Sequence, residues 1–138
     1  MLRPVVVTAG IILERSRVLI AKRNYRGFMG GMWEFPGGKV EQGETPSVCL
    51  ARELDEELAI KAARITYFDS SFYEYGRRRI LLIGMLVEDL LCPPIAKEHE
   101  ELAWVEFSEL HLVQLAPADV PFARRLNRIQ IVQDSGRS

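Results

Sequence analysis

Apolar residues recur along this chain in two rhythms. Residues 5–13 and 18–22 are largely apolar and rich in β-branched side chains, and only Glu14-Arg15-Ser16-Arg17 separates them. Two such runs around a polar turn predict a β-hairpin. The glycine-rich stretch 24–32 reads as a loop, and Trp33-Glu34-Phe35 as a short strand stopped by Pro36-Gly37-Gly38. Thr45-Pro46 marks a helix start, with Thr45 as N-cap and Pro46 in the first helical position. This helix is predicted to run to about Leu58. Residues 65–75 and 79–87 are strand-like and meet near Gly76, giving a second hairpin, and 102–107 is a further short strand. From 120 to 132, Phe122, Leu126, Ile129 and Ile131 alternate with Arg124, Arg125 and Arg128, the pattern of an amphipathic closing helix. Strands and helices are mixed, not strictly alternating, which predicts an α+β helix–sheet–helix sandwich. No linker, repeat or low-complexity tract divides the chain, so one domain over 1–138 is expected.

The helix starting at Pro46 carries the chemistry. On a wheel at about 100° per residue, Ala51, Leu54 and Leu58 fall within roughly 60° of one another, with Val48 on the same side. That side is the predicted packing face. Glu53, Glu56 and Glu57 gather in an arc from roughly 140° to 240°, opposite it. Like charges at i,i+3 and i,i+4 cost a few tenths of a kcal/mol each, about 0.2–0.5. They also lie late in the helix, where the macrodipole disfavours anions. A cation would offset both penalties, and carboxylate oxygens suit hard ions such as Mg²⁺ or Mn²⁺. A solvated acidic stripe is the other reading that the wheel leaves open.

Composition narrows the classes. Among 138 residues, 48% are hydrophobic and 27% charged, and 18 basic residues stand against 19 acidic ones. This near balance argues against a coat for nucleic-acid polymer or an anionic membrane surface. No apolar run approaches the ~20 residues that span a bilayer. The apolar start is broken by Thr8 and Gly10 and followed by Glu14-Arg15, so it reads as a buried strand and not a signal peptide. Cys49 and Cys92 match no metal or disulfide spacing, and free thiols in a cytoplasmic protein are expected.

Gly38, Glu44, Arg52-Glu53-Leu54, Glu56-Glu57 and Ile60 stand at the spacing of the Nudix box, and over residues 38–60 the chain resembles that family. The preceding Trp33-Glu34-Phe35-Pro36-Gly37-Gly38-Lys39 looks like its MutT branch. One position departs: Ala59 stands where the family usually has glycine. A left-handed residue would end the helix there, and alanine in that conformation costs about 1 kcal/mol. The resemblance implies an α/β/α sandwich with a mixed sheet between helices. It also implies Mg²⁺-dependent cleavage of a nucleoside diphosphate linked to a further group, with Mn²⁺ as a substitute. Glu53, Glu56 and Glu57 match the family's metal-binding carboxylates, often joined by the carbonyl of Gly38. Glu44 and Arg52 match residues that brace loop and helix. Members of the family differ over which of these glutamates takes the attacking water's proton, and Glu53 is the candidate favoured here.

Outside the box, Lys97-Glu98-His99-Glu100-Glu101 resembles the segment that supplies a further metal-binding or basic carboxylate, and Glu98 is the candidate. His99 reads as an exposed loop histidine, and His111 has no assigned role. Arg23 and Lys39 flank the expected phosphate position, as a bidentate fork and a point charge. Arg78, at a basic hairpin tip, aligns with a nucleotide contact of MutT-like members. Phe35 is a candidate for base stacking, or a core residue. Leu115-Ala116-Pro117-Ala118-Asp119-Val120-Pro121 resembles the tail of the family's CTP pyrophosphohydrolases, where such an aspartate faces the base. An ionised Asp119 accepts hydrogen bonds only, which suits the exocyclic amine of cytosine. It equally stands where it could cap the last helix.

The reading is a MutT-type hydrolase that converts a modified or surplus nucleoside triphosphate, 8-oxo-dGTP or a cytidine triphosphate, to monophosphate and pyrophosphate. Its partner is then a small nucleotide, and it works as monomer or homodimer. The alternatives are cleavage of another diphosphate, such as ADP-ribose or a dinucleoside polyphosphate, and a non-catalytic Nudix-fold binding module.

Overall fold

Continuous burial along the β-branched runs marks strands covered on both faces. In this computed structural model, which describes residues 3–24 and 30–135, β1 (Val5–Glu14) and β2 (Arg17–Lys22) form the first hairpin, with Arg15 at φ 58° in its turn. Of the predicted loop, residues 25–29 lie outside the described set. Next come β3 (Trp33–Glu34), α1 (Pro46–Leu58), β4 (Ala62–Tyr75), β5 (Arg78–Leu90), β6 (Glu101–Glu106) and α2 (Val120–Ser135). Two 3₁₀ segments, Phe107–Leu112 and Pro117–Asp119, fall between β6 and α2. Sequence periodicity did not register them, because one or two 3₁₀ turns are too short to carry a repeating pattern.

The sheet runs β3-β2-β1-β5-β4, with β6 also paired to β2. β1 and β5 are parallel, and the remaining strand pairs are antiparallel. The architecture is therefore α+β, with a mixed sheet between helices. Both faces are covered. Ala9, Ile11, Val18 and Ile20 pack with Phe122 and Leu126 of α2, whereas Ile12 and Leu19 pack with Leu50, Leu54 and Leu58 of α1. Strand alternation sends successive residues to opposite sides, so one strand feeds both cores. Among the described residues, no helix is long and apolar enough to cross a membrane.

The predicted phase of α1 needs correction. Val48 is 56% exposed and Ala51 is exposed. The buried positions are Cys49, Leu50, Leu54 and Leu58. Leu50, Leu54 and Leu58 lie at roughly 260°, 300° and 340° on the same wheel, so Glu57, at roughly 240°, borders the buried arc instead of opposing it. Three leucines at burial energies of about 1.5–3 kcal/mol each outweigh the carboxylate repulsions. Packing sets the phase, and Glu57 is carried inward.

Thr45 caps α1 as expected, its Oγ1 accepting from the Val48 N–H at 3.3 Å. Ala59 ends the helix at φ 53°, ψ 32°, and its N–H donates to Asp55 and Leu54. The strain read from the sequence is therefore present. Ala59→Gly is expected to raise stability by about 0.5–1 kcal/mol through relief of the left-handed penalty. Urea unfolding monitored by circular dichroism checks it, and an unchanged or lower midpoint would count against the strain.

Candidate active site

The segment 36–40 is laid along β1 by backbone bonds. Gly10 N–H donates to Pro36 O (2.6 Å), Thr8 N–H to Gly38 O (2.8 Å) and Val40 N–H to Val6 O (2.9 Å). Thr8 Oγ1 also donates to Gly38 O at 3.1 Å. The Gly38 carbonyl, expected as a metal ligand, thus already accepts from two donors of Thr8. What Gly38 contributes is missing bulk: an added Cβ would lie 2.3 Å from Cδ of Glu53.

Arg52 organises the carboxylates beside this strap. Its Nε and Nη2 grip both oxygens of Glu44 (2.7 and 2.9 Å), while Nη1 donates to Glu53 (2.9 Å) and Glu56 (3.3 Å). Glu44 Oε1 accepts in turn from the Glu41 N–H at 2.9 Å. The Arg52 hydrogen bonds, then that N–H, hold Glu44 down at about 2. Glu44 and Arg52 therefore tie the strap to α1, the bracing expected of them.

Glu57 differs from its neighbours. Its Oε2 is buried without a hydrogen-bond partner among the described residues. Burial, then the charges of Glu53 and Glu34, push it up to about 9, with Glu98 adding to the same effect. An orphaned carboxylate oxygen among other carboxylates fits a hard cation that takes oxygen ligands. Among the described residues no three His, Cys, Asp or Glu side chains already stand in a ligating group. Mg²⁺ commonly uses one or two protein carboxylates completed by waters and substrate phosphate, so the donor set fits.

A cleft of about 670 Å³ opens beside this corner. Its floor is apolar: Val5 and Val7 of β1 beside their parallel partners Ile80 and Leu82 of β5. Gly38, Lys39 and Glu57 line it, as do Phe35, Ala118 and Asp119, and Arg3, Arg77, Arg78 and Arg79. Arg23 and Glu34 also face it, joined at 2.7 Å. Of the candidates, Gly38, Glu57, Arg23, Phe35, Lys39, Arg78 and Asp119 therefore share one cavity. Glu53 stands against Gly38, just outside the lining. Glu56 and Glu98 are exposed, though the charge of Glu98 reaches Glu57.

Two further expectations change. Phe35 is 3% exposed and its ring centroid lies 6.4 Å from that of Phe122, so of its two readings this burial favours the core residue, one that also borders the cleft. The His99 side chain, predicted to be exposed, is only 8% exposed and lies 3.0 Å from Glu34. Glu34 itself went unassigned in the sequence, although its place between Trp33 and Phe35 was in view. Thr8 was visible only as a polar break in an apolar run.

Asp119 arrives from far along the chain. Trp33 N–H donates to Gln114 O (2.9 Å) and Ala116 N–H to Trp33 O (2.8 Å), which zips 114–116 onto β3. Asp119, 6% exposed, then accepts the Phe35 N–H at 3.2 Å. Its carboxylate thus reaches across to the backbone of Phe35. Burial, then the charge of Glu34, push it up to about 8 against the pull of the Phe35 N–H and Arg23.

The NUDIX domain model matches residues 2–126. The chain belongs to the Nudix family. It is 35% identical over 124 residues to an 8-oxo-dGTP diphosphatase of Escherichia coli K12, covering 89% of this chain and 96% of that protein. It is 40% identical over 115 residues to a CTP pyrophosphohydrolase of the same organism, covering 83% and 85%. The solution structure of the E. coli ORF135 protein superposes with a TM-score of 0.80 at 35% identity, covering 98% of this chain and 94% of that one. This Nudix protein is thus an enzyme of the MutT type, a hydrolase acting on phosphoric anhydrides. Nudix hydrolases generally use divalent metals, in keeping with the carboxylate corner.

Gly38→Ala tests the corner. The clash is with the mobile end of Glu53, so the variant should fold with a melting point within a few degrees of wild type and bind Mn²⁺ at least tenfold more weakly. Gly37→Ala, whose Cβ would sit 2.0 Å from Thr8 O, should fail to fold stably. Circular dichroism and Mn²⁺ titration followed by electron paramagnetic resonance read both. Asp119 makes a pH prediction. Between its ordinary 3.8 and about 8, the folded chain keeps a proton that the unfolded chain has released. Stability therefore falls as pH rises through this window, by at most about 1.4 kcal/mol per unit from this group. Glu57, pushed up to about 9, adds a decline of the same sign, so Asp119→Asn should make the fall in urea-unfolding stability between pH 5 and 8 shallower without abolishing it, and an unchanged slope would remove Asp119 as a source.

Proposed function

We propose that this Nudix hydrolase is a Mg²⁺-dependent nucleoside triphosphate pyrophosphohydrolase. It would release pyrophosphate and leave the monophosphate of a modified or surplus nucleotide, either 8-oxo-dGTP or a cytidine triphosphate. The observation that carries this reading is the joining of an all-oxygen carboxylate corner to an apolar-floored slot that holds Asp119. Relatives with these two activities, at 35% and 40% identity, support it.

In this mechanism Glu53, Glu56, Glu57 and Glu98 would hold the ion. Once bound, the ion supplies neutralisation of phosphoryl charge and a water of lowered pKa. Lys39, Arg23 and Arg78 line the cleft and take phosphate charge. Glu53 takes the proton of the water attacking the β-phosphorus. It is held in place by Arg52 at 2.9 Å. Val5, Val7, Ile80 and Leu82 receive the base and exclude water beneath it.

Asp119 selects the base. When ionised it accepts from the exocyclic amine of cytosine, and when protonated it can donate to O6 of an oxidised guanine. A carboxyl pushed up to about 8 is largely protonated at neutral pH, so both bases are served by one residue. The protein acts in the cytoplasm on free nucleotides and needs no nucleic-acid polymer.

A turnover panel with dCTP, 5-methyl-dCTP, CTP, 8-oxo-dGTP, dGTP and ADP-ribose, run with and without Mg²⁺ and with products identified, tests the proposal. Pyrophosphate release from a cytidine or 8-oxoguanine triphosphate is expected, and Glu57→Gln should lower turnover at least a hundredfold while the fold persists. Cleavage of ADP-ribose alone, or of nothing, would overturn the substrate assignment.

A further inference from the structure

The loop joining β5 to β6 is stitched down at three backbone points. Ile95 N–H donates to Leu58 O (2.8 Å), Lys97 N–H to Glu57 O (3.1 Å) and Glu100 N–H to Lys22 O (3.1 Å). The first two bonds use the free carbonyls at the end of α1, and the third uses the end of β2. Between the second and third anchors stand Glu98 and His99, and their fates diverge. Glu98 remains exposed, while the His99 ring turns inward and is 8% exposed.

His99 Nε2 lies 3.0 Å from Oε2 of Glu34, and Arg23 Nη1 lies 2.7 Å from Oε1 of the same carboxylate. Each oxygen of Glu34 is thus engaged by a different segment. A carboxylate oxygen only accepts, so Nε2–H donates, whether or not the ring carries a charge. The other ring nitrogen, Nδ1, is buried without a hydrogen-bond partner among the described residues. An apolar side chain would fill this space without that cost, so filling space does not account for histidine here. Glu34 lines the cleft, and its charge is felt by both Glu57 and Asp119.

We infer that His99 is a positioning residue for the reaction, whose Nε2–H clamps Glu34. Through that clamp it sets Arg23 at the cleft and keeps the Glu98 loop beside α1. The inference rests on the proposed function for its kinetic readout and deepens it. It turns what would be a surface loop into a part of the phosphate-binding wall. Arg23 gains a fixed carboxylate to lean on, and Glu98 gains a neighbour that cannot swing into solvent.

The test compares His99→Gln, His99→Phe and His99→Ala in the full chain. Glutamine can place an amide N–H near the imidazole Nε2, whereas phenylalanine fills the ring's space and donates nothing. His99→Gln should keep kcat/KM for the triphosphate within about threefold of wild type. His99→Phe and His99→Ala should each lose about tenfold or more, the range seen when partners that orient active groups are removed. Glu34→Ala combined with His99→Ala should lose no more than Glu34→Ala alone. Nitrogen-15 NMR of the arginine side chains gives a readout without substrate: the Arg23 signal should be alike in wild type and His99→Gln and altered in His99→Phe. A His99→Phe variant with wild-type kinetics and an unmoved Arg23 signal would overturn the inference. So would multiplicative losses in the double variant. Should the wild-type chain turn over no triphosphate, the proposed function fails, and the Arg23 signal still decides the role of His99.

Discussion

The strap of residues 36–40 on β1 is the constraint on which the site depends. Its bonds, Gly10 to Pro36, Thr8 to Gly38 and Val40 to Val6, give an irregular segment the regularity of a ladder. They can form because a Cβ at Gly37 would lie only 2.0 Å from Thr8 O, and glycine has none. Cys49 of α1 closes against the strap from behind, with Sγ 3.4 Å from Lys39 O. From this one contact Gly38 comes to face Glu53, Lys39 comes to line the cleft, and α1 takes its station beside the sheet.

Around the strap, the carboxylates are held in a state of deliberate tension. Arg52 serves Glu44, Glu53 and Glu56 at once and so neutralises the exposed side of the cluster. Glu57 lies beyond its reach, against Leu50 and Leu54 on the wheel. Repulsions of a few tenths of a kcal/mol cannot turn a helix whose leucines each contribute about 1.5–3 kcal/mol on burial. The helix therefore carries Glu57 into a place where its charge is disfavoured. Glu34 acts on both ends of the cleft, since its charge opposes ionisation of Glu57 and of Asp119. Arg23 and His99 hold that carboxylate between them.

Much of the fold was legible because its signals are local. Thr45-Pro46 announces a helix through a hydroxyl cap and a pre-set φ, and both were found in place. The left-handed Ala59 was legible for the same reason: ending a helix there depends on a few neighbouring residues. The box spacing pointed to the carboxylates, because chemistry on one helix is fixed by a 3.6-residue turn. Misreadings arose where a second segment decides. The phase of α1 needed the sheet face it packs on, since Val48 and Leu50 are equally apolar on paper. Phe35 was torn between core and cleft until Phe122 was placed against it. His99 looked like a loop residue until Glu34 was brought to it from 65 positions away.

What the sequence determined by itself is the family, the order of strands and helices, and the set of carboxylates that the Nudix spacing gathers on α1. These follow from short-range geometry, in which the same residues that carry a motif also form its scaffold. Only the tertiary structure decided that Glu57 is buried with an orphaned oxygen, that Asp119 reaches Phe35, and that Arg23, Glu34 and His99 form one chain of contacts. Each of these depends on burial and on partners distant in sequence. Burial is a property of the assembled layers, and no window along the chain contains it.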